Sequence, residues 1–286
     1  MCTNRFLPQF KFKMALPSLM AGLLAFAGPA SATDPPKSLA PVVPAVAKPS
    51  EAAKAQADML RKATPAERAT AERMDPLTRA AFWSKEASLD PSDAVAGVKL
   101  AAALRQMGRY EEADAASAKV LALHPDDYEA LLETARARIS ARQGFYAIQP
   151  LKLANKLRPK EWKPLSLMGV ALEQSERPDD ARAAYQQALG LSPDNPAVLS
   201  NLAMSYASIG DRRQAEQLLR RAVAQPEATI QERQNLALVL GMNGQLVEAE
   251  RLIREDLPPE MAAANLAYLR SLQSLSATPA PTSVPR

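Results

Sequence analysis

The chain has 286 residues, with 24 Pro against 10 Gly, only 5% aromatic residues and abundant Ala. That balance argues against a sheet protein and for a helical one with irregular ends. Its formal charge of +4 is concentrated at the start: Arg5, Lys11 and Lys13 lie in the first 32 residues, which hold no acid, and taking them from the 35 basic residues leaves 32 against 31 acidic. A charge so close to balance supplies no field for nucleic acid, and no nucleic-acid partner is expected.

The basic leader runs into "MALPSLMAGLLAFAG" and then "PASA", which places Ala30 and Ala32 in the A-x-A arrangement of a secretory signal peptide. Residues 1–32 are therefore expected to be an export leader, cleaved to leave Thr33 at the new N-terminus, with the periplasm as the expected location and outer-membrane association left open. The apolar run contains Pro17 and falls short of the roughly 20 residues that span a bilayer. Cys2, the single cysteine, precedes that run, so it is not the lipidated cysteine that would come after one. Membrane contact is expected only through partners.

Residues 33–74 read as a Pro/Ala-rich linker with short helical pieces, from "TDPPKSLAPVVPAVAKP" onward. Residues 75–93 read as a degenerate N-terminal half-repeat, a cap in which Phe82, Trp83, Ala87 and Pro91 imitate a second helix.

From Ala94 the chain repeats itself. Blocks of 34 residues starting at Ala94, Tyr128, Trp162, Pro196 and Ile230 fall into register without insertion, and five repeats are assigned to residues 94–257. Position 20 of each block is Ala113, Ala147, Ala181, Ala215 or Ala249; position 8 is Ala101, Ala135, Gly169, Ala203 or Ala237. Position 32 is Pro125, Pro159 and Pro193 in the first three blocks, with Pro226 one place early in the fourth. Each block carries two amphipathic patterns of helical spacing, so it predicts a helical hairpin. Small residues at positions 8 and 20 let the two backbones approach, and the proline ends the second helix. The pairs Glu111-Glu112 and Asp179-Asp180 fall where second helices begin, and Asp126-Asp127 before a first helix, where carboxylates favour the positive end of the helix dipole.

Two blocks depart from the pattern. In the second, Pro150 stands where the second helix should already be running, which predicts a late start near Gln149. The turn there either displays Phe145 and Tyr146 to a partner or, as a drifted repeat, packs them inward, and the inward packing is the expectation. In the fifth, Asp256 replaces the Ala expected at position 27, and Pro258-Pro259 cut the second helix short. Stacked hairpins leave an apolar face at each end of the array. "PEMAAANLAYLRSL" is read as the helix that covers the last one, over residues 258–273, with Met261, Leu266, Leu269 and Leu272 available to face inward. Residues 274–286 read as a disordered tail.

The 34-residue period with W/L-x-x-L/M-G/A-x-x-L/Y, Ala at 20 and Pro at 32 resembles the tetratricopeptide repeat, and "EWKPLSLMGVALEQSERPDDARAAYQQALGLSPDN" matches it best. This implies an all-α solenoid whose first helices line the concave side. Positions 2, 5, 6, 9 and 12 of those helices then face the groove or its rim, and they nominate Arg105, Glu129, Arg136, Val170, Glu173, Asn201, Met204, Gln234, Asn235 and Leu238 as contacts for an extended or helical segment of a protein partner. Asn201, Asn235 and Arg136 would grip it, unless the two amides only bridge neighbouring repeats. Phe145 and Tyr146 form a possible secondary contact. Ser166 and Val170 stand where Lys and Asn would be needed to clamp a C-terminal carboxylate, so a free C-terminus is not expected.

The ending "NLALVLGMNGQLVEAERLIREDLPPEMAAANLAYLRSL", with its DLPPE-x-A-x-x-N-x-x-Y-L core, behind a secretory leader and a repeat array, looks like the TadD family of tight-adherence (Flp) pilus assembly proteins. The resemblance implies a periplasm-facing factor that helps build a type IV-like pilus secretion apparatus, acting on its outer-membrane secretin. A general periplasmic peptide-binding or envelope adaptor, or an accessory to a cell-wall enzyme, is the competing reading. No enzyme is expected. The one histidine, His124, sits in an inter-repeat turn, no cysteine remains after processing, and no G-x-x-x-x-G-K-[ST] loop occurs. No catalytic residue, metal ligand, cofactor or small-molecule substrate is nominated.

Overall fold

A computed structural model describes residues 61–277, with side chains as far as Ser271. The expected leader with its Ala30, Ala32 and Thr33, the linker up to residue 60 and residues 278–286 of the expected tail lie outside the described residues, while residues 274–277, read as the start of that tail, continue the last helix instead. Among the described residues there are thirteen helices and no strand. Helices α1 (Pro65–Ala71) and α2 (Pro76–Leu89) precede five hairpins. These pair α3 (Ala94–Gln106) with α4 (Tyr110–Leu123), α5 (Tyr128–Ser140) with α6 (Gly144–Leu157), and α7 (Trp162–Gln174) with α8 (Pro178–Leu191). The last two pair α9 (Pro196–Ser208) with α10 (Arg212–Val223) and α11 (Ile230–Met242) with α12 (Leu246–Asp256); α13 (Pro259–Ala277) comes after them. Every first helix begins at the residue where the 34-residue block begins.

The hairpins repeat because their local instructions repeat. Asp93, Asp127, Asn195 and Thr229 cap four of the five first helices by accepting from a first-turn N–H, and Glu232 completes a capping box on α11. Glu161, at the same place before α7, makes no such bond. Each first helix then ends in the same turn: the N–H of Arg109, Gln143, Arg177, Asp211 or Gln245 reaches back five residues to Leu104, Arg138, Leu172, Tyr206 or Leu240. This is the Schellman arrangement, which places the preceding residue in the left-handed region. Gly108, Gly210 and Gly244 occupy that place at φ 76, 87 and 84°.

Helix pairing is governed by the small residues. All five alanines at position 20 have no exposed surface, and Ala101, Ala135, Ala203 and Ala237 at position 8 are buried as well. Gly169 takes its place at position 8 because Tyr185 lies across it; a Cβ there would stand 2.3 Å from the ring. At the N-terminal end α1, within the segment read as a linker, docks on α2: Ala71 is buried beside Trp83 and Ala96. Arg68 reaches Glu86, whose side chain is wholly buried, at 2.7 Å, and Asp93 at 2.6 Å.

The second hairpin corrects the expectation of a delayed helix. α6 begins at Gly144 and runs through Pro150. A proline there offers no N–H to the carbonyl four residues back, that of Tyr146. Arg138 Nη1 donates to that oxygen instead, at 2.9 Å, while its Nε is held by Asp114 Oδ1 at 2.9 Å. With α6 starting early, Phe145 and Tyr146 occupy its first turn, off the buried stripe of Ala147, Ile148, Leu151 and Ala154. They do not pack inward: they are 70% and 62% exposed and lie edge to face against one another at 5.6 Å.

The double proline acts as expected at the far end. α12 stops at Asp256, Leu257 is extended, and Pro259 takes the first position of α13, where its fixed φ suits a helix start. Ala262, Leu266 and Leu269 are buried against the last hairpin, and Leu269 sits directly over Gly241. Met261, also expected to face inward, is 57% exposed instead, since Ala262 one residue on takes the inward face. The side chain of Leu272 lies outside the described residues. Asp256, the anomaly at position 27, forms a bidentate pair with Arg233 at position 4, at 2.7 and 2.8 Å. In the other hairpins these two positions hold apolar or small residues, so the last one puts a charged pair in their place.

Candidate partner-binding surface

First helices of neighbouring hairpins touch one another: α3 meets α5, α5 meets α7, α7 meets α9 and α9 meets α11. No comparable contact joins successive second helices among the described residues. The first helices therefore form the inner side of the stack, as the resemblance implied, and they carry all ten groove positions nominated from the sequence. Glu129 is exposed; Arg105, Arg136, Val170, Glu173, Asn201, Met204, Gln234, Asn235 and Leu238 are half-buried.

The structure gives several of them local work. Glu133, a buried carboxylate at position 6 that was not among the nominated contacts, accepts from Arg105 Nε at 3.0 Å and from Arg136 Nη1 at 2.5 Å. Both cations are thus tied to one carboxylate that leaves them less free for a partner. The signal for this was present in the sequence: Glu133 stands three residues before Arg136, within helical reach of it. The amides bridge repeats. Asn235 Nδ2 donates to Ser200 Oγ at 2.8 Å and its Oδ1 accepts from Gln231 Nε2 at 3.1 Å, while Asn201 Nδ2 lies a longer 3.5 Å from Ser166 Oγ.

Glu173 sits deeper than a groove contact should. Its Oε1 is buried without a hydrogen-bond partner, as are Ser205 Oγ and Arg182 Nη1. Burial pushes the Glu173 carboxyl up from its ordinary value, against the opposite pull of Ser205 and Arg182 beside it. Burial likewise raises the Tyr185 hydroxyl, with the Glu173 charge adding to it.

Three nominated residues do converge on open space. Gln234, Asn235 and Leu238 line a cavity of about 230 Å³ between α11 and α13, closed on the other side by Asn265, Tyr268 and Leu269. Tyr268 is 58% exposed, so its ring presents both a flat apolar surface and a hydroxyl. The cavity thus offers amides, a phenol and apolar walls, the groups that bind a peptide backbone and one apolar side chain. His124, the turn histidine, is exposed, with its Nε2 2.9 Å from the Ser92 carbonyl.

Two stretches of the chain match models of the tetratricopeptide repeat, residues 96–127 and 172–237. Cellulose synthase operon protein C of Pseudomonas fluorescens is 29% identical over 139 residues, which cover 46% of this chain and 11% of that protein. The chain thus spans a small part of the length of this curated relative. Among solved structures, a thermophilic TPR protein of Thermus thermophilus superposes with a TM-score of 0.53 at 21% identity, over 58% of this chain and 90% of that one. A chain of the APC/C hetero-tetramer Cut9–Hcn1 gives 0.58 at 17% identity, over 71% and 40%. The fold is an all-α tetratricopeptide-repeat solenoid, and the repeats support a protein–protein interaction scaffold.

Proposed function

We propose that this solenoid is a non-enzymatic scaffold that holds an extended or helical segment of a protein partner at the C-terminal end of its inner face, in the assembly of a tight-adherence type pilus. The observation that carries the reading is the α11–α13 cavity. Two polar residues of the DLPPE-x-A-x-x-N-x-x-Y-L ending, Asn265 and Tyr268, line it together with the groove residues Gln234, Asn235 and Leu238. The part of the chain most specific to the pilus assembly resemblance and the part nominated by groove geometry thus meet at one place. Arg136 and Asn201, engaged with Glu133 and Ser166, are supporting residues in this proposal, not the grip itself.

Export through the leader belongs to the same proposal and puts the scaffold in the periplasm, where the pilus secretin or another assembly component is the partner. Affinity purification of the full chain from envelope extract tests it. Mass spectrometry should identify a secretin or other pilus component, and the mature protein should begin at Thr33. Recovery should fall about tenfold for Gln234→Ala with Tyr268→Ala, while thermal melting stays within a few degrees because Tyr268 is exposed. Recovery of envelope proteins unrelated to pili would favour a general adaptor, and recovery unaffected by the double change would move the partner elsewhere.

A further inference from the structure

The outer face of the second hairpin differs from every other. α6, "GFYAIQPLKLANKL", contains no acid, whereas α4, α8, α10 and α12 each hold at least one Asp or Glu. On or beside those helices several exposed arginines are matched with carboxylates, as in Arg177 with Asp180, Arg220 with Glu248 and Arg251 with Glu255. Lys152 and Lys156 are exposed on α6 and make no ion pair among the described residues. About two turns before Lys152 along the helix stand the exposed rings of Phe145 and Tyr146, already in contact with each other.

Beside this face runs a groove of about 570 Å³ between α4, α5 and α6, lined by Leu121, Leu131, Pro150 and Leu153 together with the two lysines. Arg138 of α5 also lines it and is paired with Asp114 of α4. From α8, Asp179 and Asp180 are held by Arg182 and Arg177. The face is therefore apolar, aromatic and positive in a molecule whose charge is otherwise nearly balanced.

We propose that this outer face is a second docking surface, for an acidic segment of a protein partner whose apolar side chains enter the groove while its carboxylates meet Lys152 and Lys156. The inference goes beyond the inner-face reading and does not depend on it. Charge complementarity selects the occupant. The chain's own remaining segments do not supply it: residues 1–60 hold Asp34, Glu51 and Asp58 against Arg5, Lys11, Lys13, Lys37, Lys48 and Lys54, and residues 278–286 hold no acid. A concave groove with apolar walls suits inserted side chains better than a flat lipid surface.

Fluorescence anisotropy on the full chain tests this, with a labelled helical peptide carrying Glu on one face and Leu and Phe on the other. Its counterpart with Lys in place of Glu, and vesicles of phosphatidylcholine with phosphatidylglycerol, serve as competing ligands. The acidic peptide should bind, and binding should weaken about tenfold for Lys152→Glu with Lys156→Glu and about as much for Phe145→Ser with Tyr146→Ser. It should also weaken as salt rises from about 0.05 to about 0.5 M. All four side chains are exposed, so the variants should melt like the parent. Lys152→Gln with Lys156→Gln gives a smaller loss in the same direction and replaces the reversed pair if that variant fails to fold. Equal binding of the cationic peptide, binding unchanged in both sets of variants, or attachment to the anionic vesicles in place of the peptide would overturn the proposal.

Discussion

Position 15 of every hairpin turns through the left-handed region, yet in the second and third the residue there is Arg142 at φ 62° or Glu176 at φ 58°. A side chain in that region is strained by about 1–2 kcal/mol, while glycine loses about 0.5–1 kcal/mol through the freedom it has when unfolded. Arg142→Gly and Glu176→Gly should each therefore raise stability by about 0.5–1 kcal/mol, read from the midpoint of urea unfolding at constant slope. The burial of Glu173 gives a pH-dependent counterpart. Its folded value lies above its unfolded one, so the folded state holds the extra proton. The associated stability is fully present below the unfolded value of about 4.5 and is lost as pH rises through the raised one. Glu173→Gln cannot ionise, so it should melt above the parent at pH 8, with the gap closing toward pH 4. A gap that is constant with pH would mean that the carboxyl is not charged against its surroundings. None of these residues was legible in its role from the sequence, because φ at a turn and the depth of a helix face depend on how the neighbouring hairpin lies.

Elements were far more legible, and the reason lies in repetition. Ala113, Ala147, Ala181, Ala215 and Ala249 mark the crossing of two helices, where all five are fully buried, and five crossings at one spacing fix the register. The start of α6 escaped the same reading, since the group that tolerates Pro150 comes from another helix. Arg138 on α5 bonds the carbonyl of Tyr146 that the proline leaves open, and no window of α6 alone contains that information. A double-mutant cycle makes the point measurable. Pro150→Ala should stabilise α6 by up to about 3 kcal/mol, because the new N–H takes the Tyr146 carbonyl. Arg138→Ala should be destabilising by about 1.5–3 kcal/mol in the parent and by clearly less beside Pro150→Ala. Equal losses in both backgrounds would mean that Arg138 serves only Asp114. Asp256 was readable as an anomaly but not as half of a pair, although Arg233 at position 4 of the same block is where its partner had to be.

Across the whole molecule the inner face is not one uniform groove. Toward its N-terminal end Glu133 binds Arg105 and Arg136, in the middle Glu173 is half-buried with its Oε1 out of reach of solvent, and between α11 and α13 nominated side chains open onto a cavity with amides and a phenol. Sequence periodicity nominated the face, because positions 2, 5, 6, 9 and 12 come from helix geometry. It did not grade the face, because a carboxylate at position 6 and a cap helix beyond the last hairpin decide which side chains remain available. The chain carries no cysteine after Cys2, so single thiols can be placed at will. The most direct measurement is cross-linking in envelope extract from Leu238→Cys, inside the α11–α13 cavity, and from Gln187→Cys, on the outer side of α8, each carrying a maleimide photocross-linker. A pilus secretin or assembly component joined from position 238 and not from position 187 is the expected result. The same partner joined equally from both positions, or from 187 alone, would contradict an inner-face scaffold.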